Sequence, residues 1–494
     1  MRLLRSSFPV LGLLIALSWF GPGCGDEGEV SGTVGGDGDA TTQADGTSPG
    51  GGCVPVGEGA AGTVSGVTRS PLASGNADVQ GSLDDWGSAL PGGSGGLAAA
   101  SSCGTFGVLY RMVGDGGDSS VAYRHITKTV GDPEILPGLS ASMKIPATLM
   151  FDANCRAAVA TASAQDGYLF YARSEQGEWT VETTIGTEEI FGDLAEPFQH
   201  RWGTVEADGT MVVVGTGASK GTPNVVVGRL SPAEGQAWKF RTFPAPSGGM
   251  GGTIVSGPDE ALHALYTKTS YPCDPCDLGL YYGRLGDDGP SGSATWSEEL
   301  VQKSQWGDPD DRFATNPSLA VAPDGRPVVA ASYQTRVITG SLKSSELRVY
   351  ARTNGKWCYE TVATTPDGYQ GGDGAKYTGA LPYLTYDMQG RPHVLFTDMS
   401  QWHDGNGWSN GINGQLRHAV RSDDGWKLAT LLSQKGQSAS NRPLEGFGAP
   451  SLAVSPDGSA AVAVGEERIW DTDSIYNDQP RPMQYNAVVL SFGL

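Results

Sequence analysis

The residues best suited to chemistry sit in irregular stretches that mix tryptophan with carboxylates and arginine. The stretch QKSQWGDPDDRFATN carries Trp306 and Arg312, with Asp308, Asp310 and Asp311 between them, and Arg336 follows. DMSQWHDGNGWSNGING holds Trp402, His403 and Trp408. EERIWDTDSIYNDQPRPMQ holds Trp470, Asp471 and Tyr476, and FQHRW places His200 and Arg201 beside Trp202. Aromatic faces among a few polar groups suit a polar ligand with apolar ring faces. A glycan is the plain example: its rings stack on Trp or Tyr and its hydroxyls bond to Asp, Asn and Arg. Protein interfaces enrich the same residue types, so a protein ligand fits too. The bland alternative is that these side chains only pack the loops onto their scaffold.

Catalysis has weaker support. A polysaccharide lyase would use His and Tyr to take and return a proton. His263 and His393 stand at the same place in a repeating pattern, and a catalytic residue has no reason to recur; both read as structural strand histidines. His200 and His403 are better placed, but each stands alone. Calcium could bind oxygen ligands at Asp308, Asp310 and Asp311, or at Asp471 and Asp473, although neither run fits an EF-hand. No phosphate loop, dinucleotide fingerprint or nucleophile elbow occurs, so no cofactor is expected.

The repeat is what must position these residues. PSLAVAPDGRPVVAASY from Pro317, PYLTYDMQGRPHVLFTD from Pro382 and PSLAVSPDGSAAVAVGE from Pro450 are copies, with Gly325, Gly390 and Gly458 in register. Each reads as strand, tight turn, strand; glycine takes the positive φ. Weaker copies bring the count to seven units, starting near residues 97, 147, 201, 252, 317, 382 and 450. A third strand ends on a recurring basic residue (Arg124, Arg173, Arg229, Arg284, Arg352, Arg421), and after a further turn comes a tryptophan (Trp179, Trp238, Trp296, Trp357, Trp426) that opens a fourth strand. The recurrence assigns these tryptophans to packing between units. Repeats of four antiparallel strands predict an all-β fold, a seven-bladed β-propeller of four-stranded antiparallel blades. The last unit runs out at its third strand, so an N-terminal segment within 60–96, such as AGTVSGV, is expected to supply the missing outer strand. First-to-second and third-to-fourth connections are short, and the others are long. One face should therefore be smooth and the other crowded with the loops that carry the candidate residues.

Residues 1–23 form a separate segment. Arg2 and Arg5 precede an apolar run from Phe8 to Phe20, then small residues before Cys24. That order reads as an export signal too short to span a bilayer permanently. A cysteine directly after the cut resembles a bacterial lipoprotein signal, which implies lipidation at Cys24. The following segment, 24–59, is rich in Gly and Asp and nearly free of large apolar residues. It reads as a disordered tether, with the propeller domain over 60–494. Removing Cys24 from the seven cysteines leaves six, Cys53, Cys103, Cys155, Cys273, Cys276 and Cys358, an even number that suggests disulfides in an exported chain. Cys273 and Cys276 are expected to close a loop on themselves. Lys and Arg number 33 against 54 Asp and Glu, for a net charge of −21. A surface so acidic argues against nucleic acid.

The units resemble bacterial secreted propellers of the sialidase-like, Asp-box-bearing (BNR) kind. SDDGW, from Ser422 to Trp426, is similar to a degenerate Asp box, as is SEQGEW. The resemblance covers roughly 97–494, and its motifs are turns, so it implies fold rather than activity. A sialidase would need clustered arginines with a tyrosine nucleophile. Arg201, Arg312, Arg336 and Arg481 are candidates, but nothing in the sequence draws them together. The expectation is a monomeric, non-catalytic binding or scaffold module for a glycan or partner protein. It would be lipid-anchored to the bacterial cell envelope and touch membrane only through that anchor. The alternative is a carbohydrate-active enzyme, a polysaccharide lyase or sialidase-like glycosidase, using the same face.

Overall fold

The computed structural model describes most of 60–494 within the unit Pro49–Leu494. Residues 1–59 and several inter-strand segments, chiefly 77–96, 186–198, 269–277, 287–294, 366–375, 434–443 and 471–481, lie outside the described residues. The chain forms seven sheets, one per repeat, whose blade strands pair antiparallel; a short N-terminal strand adds to blade six in parallel. Blade one is typical, with strands Leu97–Ala100, Phe106–Val113, Ser119–Ile126 and Glu134–Ser140 in sequence order. No helix occurs among the described residues.

The innermost strands run Leu97–Ala100, Ala147–Phe151, Gln199–Val205, Thr253–Ser256, Asp310–Val321, Lys376–Tyr386 and Ser451–Val454; each abuts the next, and the last returns to the first. The ring is closed. The serine of PSLAV helps to link it, because Ser318 Oγ accepts from the Leu384 amide and Ser451 Oγ from the Ala98 amide, both at 3.0 Å. An N-terminal strand completes blade seven, as the missing fourth strand required. It spans Ser65–Asn76, a few residues beyond AGTVSGV, and pairs antiparallel with Pro482–Gly493. Arg124, the first of the recurring basic residues, holds this closing strand by donating from Nη2 to the Leu72 carbonyl at 3.0 Å. Closure leaves no open flank between first and last blades for another chain to extend.

Apolar residues from facing blades fill the space between them. Val328, Leu347 and Val349 of blade five, for instance, pack with Leu384, Phe396 and Trp426 of blade six. Burial of side chains of this size contributes about 1.5–3 kcal/mol each.

Every first hairpin uses one turn geometry. The residue at its fourth position has left-handed backbone: Gly104, Cys155, Gly209, Glu260, Gly325, Gly390 and Gly458, with φ between 61° and 85°. Two blades tolerate a side chain there. Cys155 pairs with Cys103 in the equivalent turn of blade one, so a disulfide staples neighbouring turns. Cys358 is also disulfide-bonded, to a partner outside the described residues; the expected Cys273–Cys276 pair lies there too.

Three elements run longer than the repeat suggests. The inner strands of blades five and six begin at Asp310 and Lys376, ahead of Pro317 and Pro382. Proline lacks a ladder donor, but a register shift between Thr315 and Ser318, with Asn316 left-handed at φ 48°, sets Pro317 outside the ladder. Leu381 at φ 49° does the same before Pro382. Lastly, DMSQWHDGNGWSNGING is largely a two-stranded ribbon rather than a loop, because Pro392–His403 and Trp408–Ser422 stay paired out to His403↔Trp408. Extended backbone needs paired amides, and the ribbon supplies them.

Candidate functional site

All first-to-second hairpins fall at one end of the sheets, so the second-to-third connections fall at the other. The third-to-fourth turns share the first end, as with Thr353↔Lys356 and Ser422↔Gly425. Of the residues singled out in the sequence, Trp306, Asp471 and Tyr476 lie outside the described residues. The backbone of the other ligand-binding candidates runs through the loop-rich end. His200 and Arg201 open the inner strand of blade three. Arg312 and Arg336 lie near the ends of the two inner strands of blade five, where Arg336 is the Cα partner of Asp311. Trp402, His403 and Trp408 end the blade-six ribbon. Trp470 ends the second strand of blade seven as the partner of Leu444. The ribbon strand Trp408–Ser422 packs beside Leu444–Phe447, so three tryptophans share one sector of this end. Blade three, with His200 and Arg201, is separated from that sector on either side of the ring.

The described side chains here are firmly held. Arg336 donates from Nε and Nη2 to Gln334 Oε1 at 3.2 and 2.9 Å and lies over the Phe313 ring, 5.2 Å from its centroid. At the root of the ribbon, Arg417 Nη1 donates to Asp398 Oδ2 at 2.9 Å. Burial pushes the Asp398 carboxyl up from its ordinary range, and Arg417 opposes that shift. Among the described residues no cluster of three or more His, Cys, Asp or Glu side chains forms a metal site.

The recurring tryptophan and basic residue meet a carboxylate that the sequence did not reveal. In blades two, five and six, Trp179, Trp357 and Trp426 donate from Nε1 to Glu134, Glu299 and Glu360 of the preceding blade, at 3.0, 3.0 and 2.6 Å. Arg173, Arg352 and Arg421 bond the same carboxylates. The inter-blade packing assigned to these tryptophans is therefore observed, as in the edge-on contacts Tyr123–Trp179 and Tyr282–Trp357 at 5.1 and 5.2 Å. Between blades three and four the pattern breaks. Trp296 donates instead to the Pro244 carbonyl at 2.7 Å, and the residue three after the tryptophan, Glu299 and Glu360 elsewhere, is Arg241.

The two repeat-equivalent histidines are structural. His263 Nδ1 bonds the Tyr282 hydroxyl at 2.6 Å inside the sheet. His393 Nε2 meets Asp387 Oδ2 at 3.2 Å, and its Nδ1 meets His418 Nε2 at 3.1 Å, with both rings buried. Given the Nε2 proton on the Asp387 side, His393 Nδ1 accepts from His418. Burial, with the neighbouring His393, pushes His418 down to about 3. Burial also lowers His393, against the pull of Asp387.

A cleft of about 630 Å³ opens at the opposite, tight-turn end, between blades four and five. Its lining includes Tyr282, Arg284, Asp324, Arg326 and Arg352. Turn and loop lengths alone point away from this end, since short turns leave no irregular loop to carry a site. The signal that could have found it is the summed charge of side chains brought together by adjacent repeats.

No family model matches the chain, and no curated protein matches it. Solved structures do. The polysaccharide lyase Uly1 is 11% identical with a TM-score of 0.40, over 81% of this chain and 90% of that one. The BP39L lectin from Burkholderia pseudomallei is 12% identical with a TM-score of 0.43, over 76% and 96%. An Aleuria aurantia lectin is 14% identical with a TM-score of 0.36, over 70% and 97%. Likeness of this degree concerns fold alone.

Proposed function

We propose that this chain is an exported, lipid-anchored propeller whose loop-rich end binds a glycan without cleaving it. One observation carries the reading: the blade-six ribbon and the adjoining strand of blade seven bring the backbone of Trp402, Trp408 and Trp470 into one sector of a rigid ring. Aromatic residues on a stiff support suit sugar rings, and they lose little conformational freedom on binding. The described histidines of the repeat are committed to buried pairs, which favours binding over proton transfer. The disulfide Cys103–Cys155 fits an oxidising compartment. In this reading residues 1–23 direct export, Cys24 takes the lipid, and 24–59 is the tether.

Strand direction fixes the end at which the chain enters the propeller. Ala60 and Ala61 pair parallel with Lys427 and Leu428, just after the Ser422–Gly425 turn. The propeller is thus entered at its tight-turn end. A glycan array followed by product analysis tests the function. Retention of one glycan class with intact chains is expected. An unsaturated or shortened product would replace the module with an enzyme, and capture of a protein with no glycan retained would replace the ligand class. Cys24→Ser should move the protein from the membrane to the soluble fraction.

A further inference from the structure

Successive residues of a strand fall on opposite faces, and residues paired across two strands share a face. At the tip of the blade-six ribbon, Trp402 is the Cα partner of Ser409, and His403 is the partner of Trp408. Trp402 and Ser409 therefore lie on one face of the ribbon, and His403 and Trp408 on the other. The root of the ribbon shows the same alternation in its side chains. Phe396 lies under the Arg417 guanidinium, 5.3 Å from its ring centroid, and packs with Val328 and Leu347 of blade five. Leu395 and Leu416, on the opposite face, pack with Leu452 and Val454 of blade seven. Both register shifts between Asp398 and Gln401 put their extra residues on the strand Trp408–Ser422, so the strand Pro392–His403 keeps its alternation to the tip. Position 402 thus continues the Phe396 face, and positions 403 and 408 continue the Leu395 face.

A single sugar ring cannot lie against both faces. Units on the two sides are separated by the ribbon itself, by at least the roughly 10 Å that divides stacked sheets. The paired amides that hold the ribbon extended also keep its faces from turning to one side. We infer that the ligand is a polysaccharide chain that passes across the ribbon and sets one unit against each face, rather than a short terminal sugar. The inference rests on the glycan reading above and gives that glycan a minimum length. Two weak contacts joined in one chain hold far more tightly than either alone, because the second forms within the complex. A short glycan would occupy one face at a time and gain nothing from the other.

The test is calorimetry on the full mature chain carrying Cys24→Ser, with disaccharides and decasaccharides of the cello-, manno-, chito- and galacturono-series as probes. In at least one series the decasaccharide should bind about a hundredfold more tightly than the disaccharide. Trp402→Ala and Trp408→Ala, each alone, should bring the decasaccharide down to disaccharide affinity at an unchanged melting temperature. Equal affinity for the two lengths, or a single variant that holds the decasaccharide like wild type, overturns the inference and leaves the glycan reading standing. No binding in any series overturns both. Should an alanine variant melt lower, the length dependence of the wild type decides. The assignment of faces is read without any sugar. Trp402→Cys with Ser409→Cys should oxidise to a disulfide, and Trp402→Cys with Trp408→Cys should not, since bridging needs side chains on one face. A disulfide in the second pair, or none in the first, overturns the inference.

Discussion

At the tight-turn end, seven hairpins repeat one backbone geometry, and charged side chains are tied across blades by shared carboxylates. At the loop-rich end the second-to-third connections differ in length from two residues (220–221) to eleven (471–481), and the paired ribbon ending at Trp402 and Trp408 belongs to one blade among the described residues. Both ends grow from the same strands. The contrast follows from what each must do. Hairpins between adjacent repeats have to meet in register for the ring to close, so their sequences are constrained. The opposite connections bear no such requirement and are free to differ in length and side chain. Stability should therefore respond to changes at the first end, and recognition to changes at the second.

The largest effect on stability should come from the staple between turns. Replacing Cys103 and Cys155 by Ala releases a closure of 52 residues, a loss of about 4 kcal/mol by chain entropy, seen as a lower denaturant midpoint. An unchanged midpoint would mean that the turn geometry alone holds blades one and two. The shared carboxylate comes next. Glu360→Gln weakens the bonds that Arg421 and Trp426 make to it and should cost about 2 kcal/mol. A comparable change at the loop-rich end, Trp402→Ala with Trp408→Ala, should move stability by less than about 0.5 kcal/mol, as for surface sites away from special features.

Acid should act through blade six. His418 is held at about 3 and His393 below its usual value, both by burial. The unfolded chain takes up protons on these rings near pH 6.5, whereas the folded chain does not. Stability is thus greatest above that pH and falls as the medium is acidified towards 3, by up to about 1.4 kcal/mol per pH unit for each ring. His418→Gln should flatten the slope measured by chemical denaturation across this window; a slope equal to wild type would show that other groups dominate.

Much of the fold was legible because closure imposes repetition. The glycine of each PDG turn announced a positive φ, and the truncated last unit announced a strand borrowed from the N-terminus. The glutamates that receive Trp and Arg were not legible. Glu134, Glu299 and Glu360 come from the preceding blade, and their spacing from the tryptophan differs in blade one, where Glu134 has no tryptophan before it. The extension of the inner strands ahead of Pro317 was hidden because proline reads as a strand boundary unless a bulge removes it from the ladder. For the site, turn lengths indicated which end would hold the long inter-blade connections, but the second-to-third connections of blades two and three, expected to be long, span only residues 164–166 and 220–221, and blade six builds a paired ribbon there that the sequence did not announce. The arginine cleft was invisible for a different reason: Arg284, Arg326 and Arg352 lie in different strands and turns of two blades, and only the packing of those blades makes them neighbours.

The central claim is that recognition and stability reside at opposite ends of the ring. It is tested most directly by measuring, on one preparation, the glycan affinity and the melting temperature of wild type and of the Trp402→Ala, Trp408→Ala variant. The account predicts at least a tenfold loss of affinity at an unchanged melting temperature. Full affinity, or a melting temperature that falls together with the affinity, would contradict it by making these tryptophans part of the scaffold.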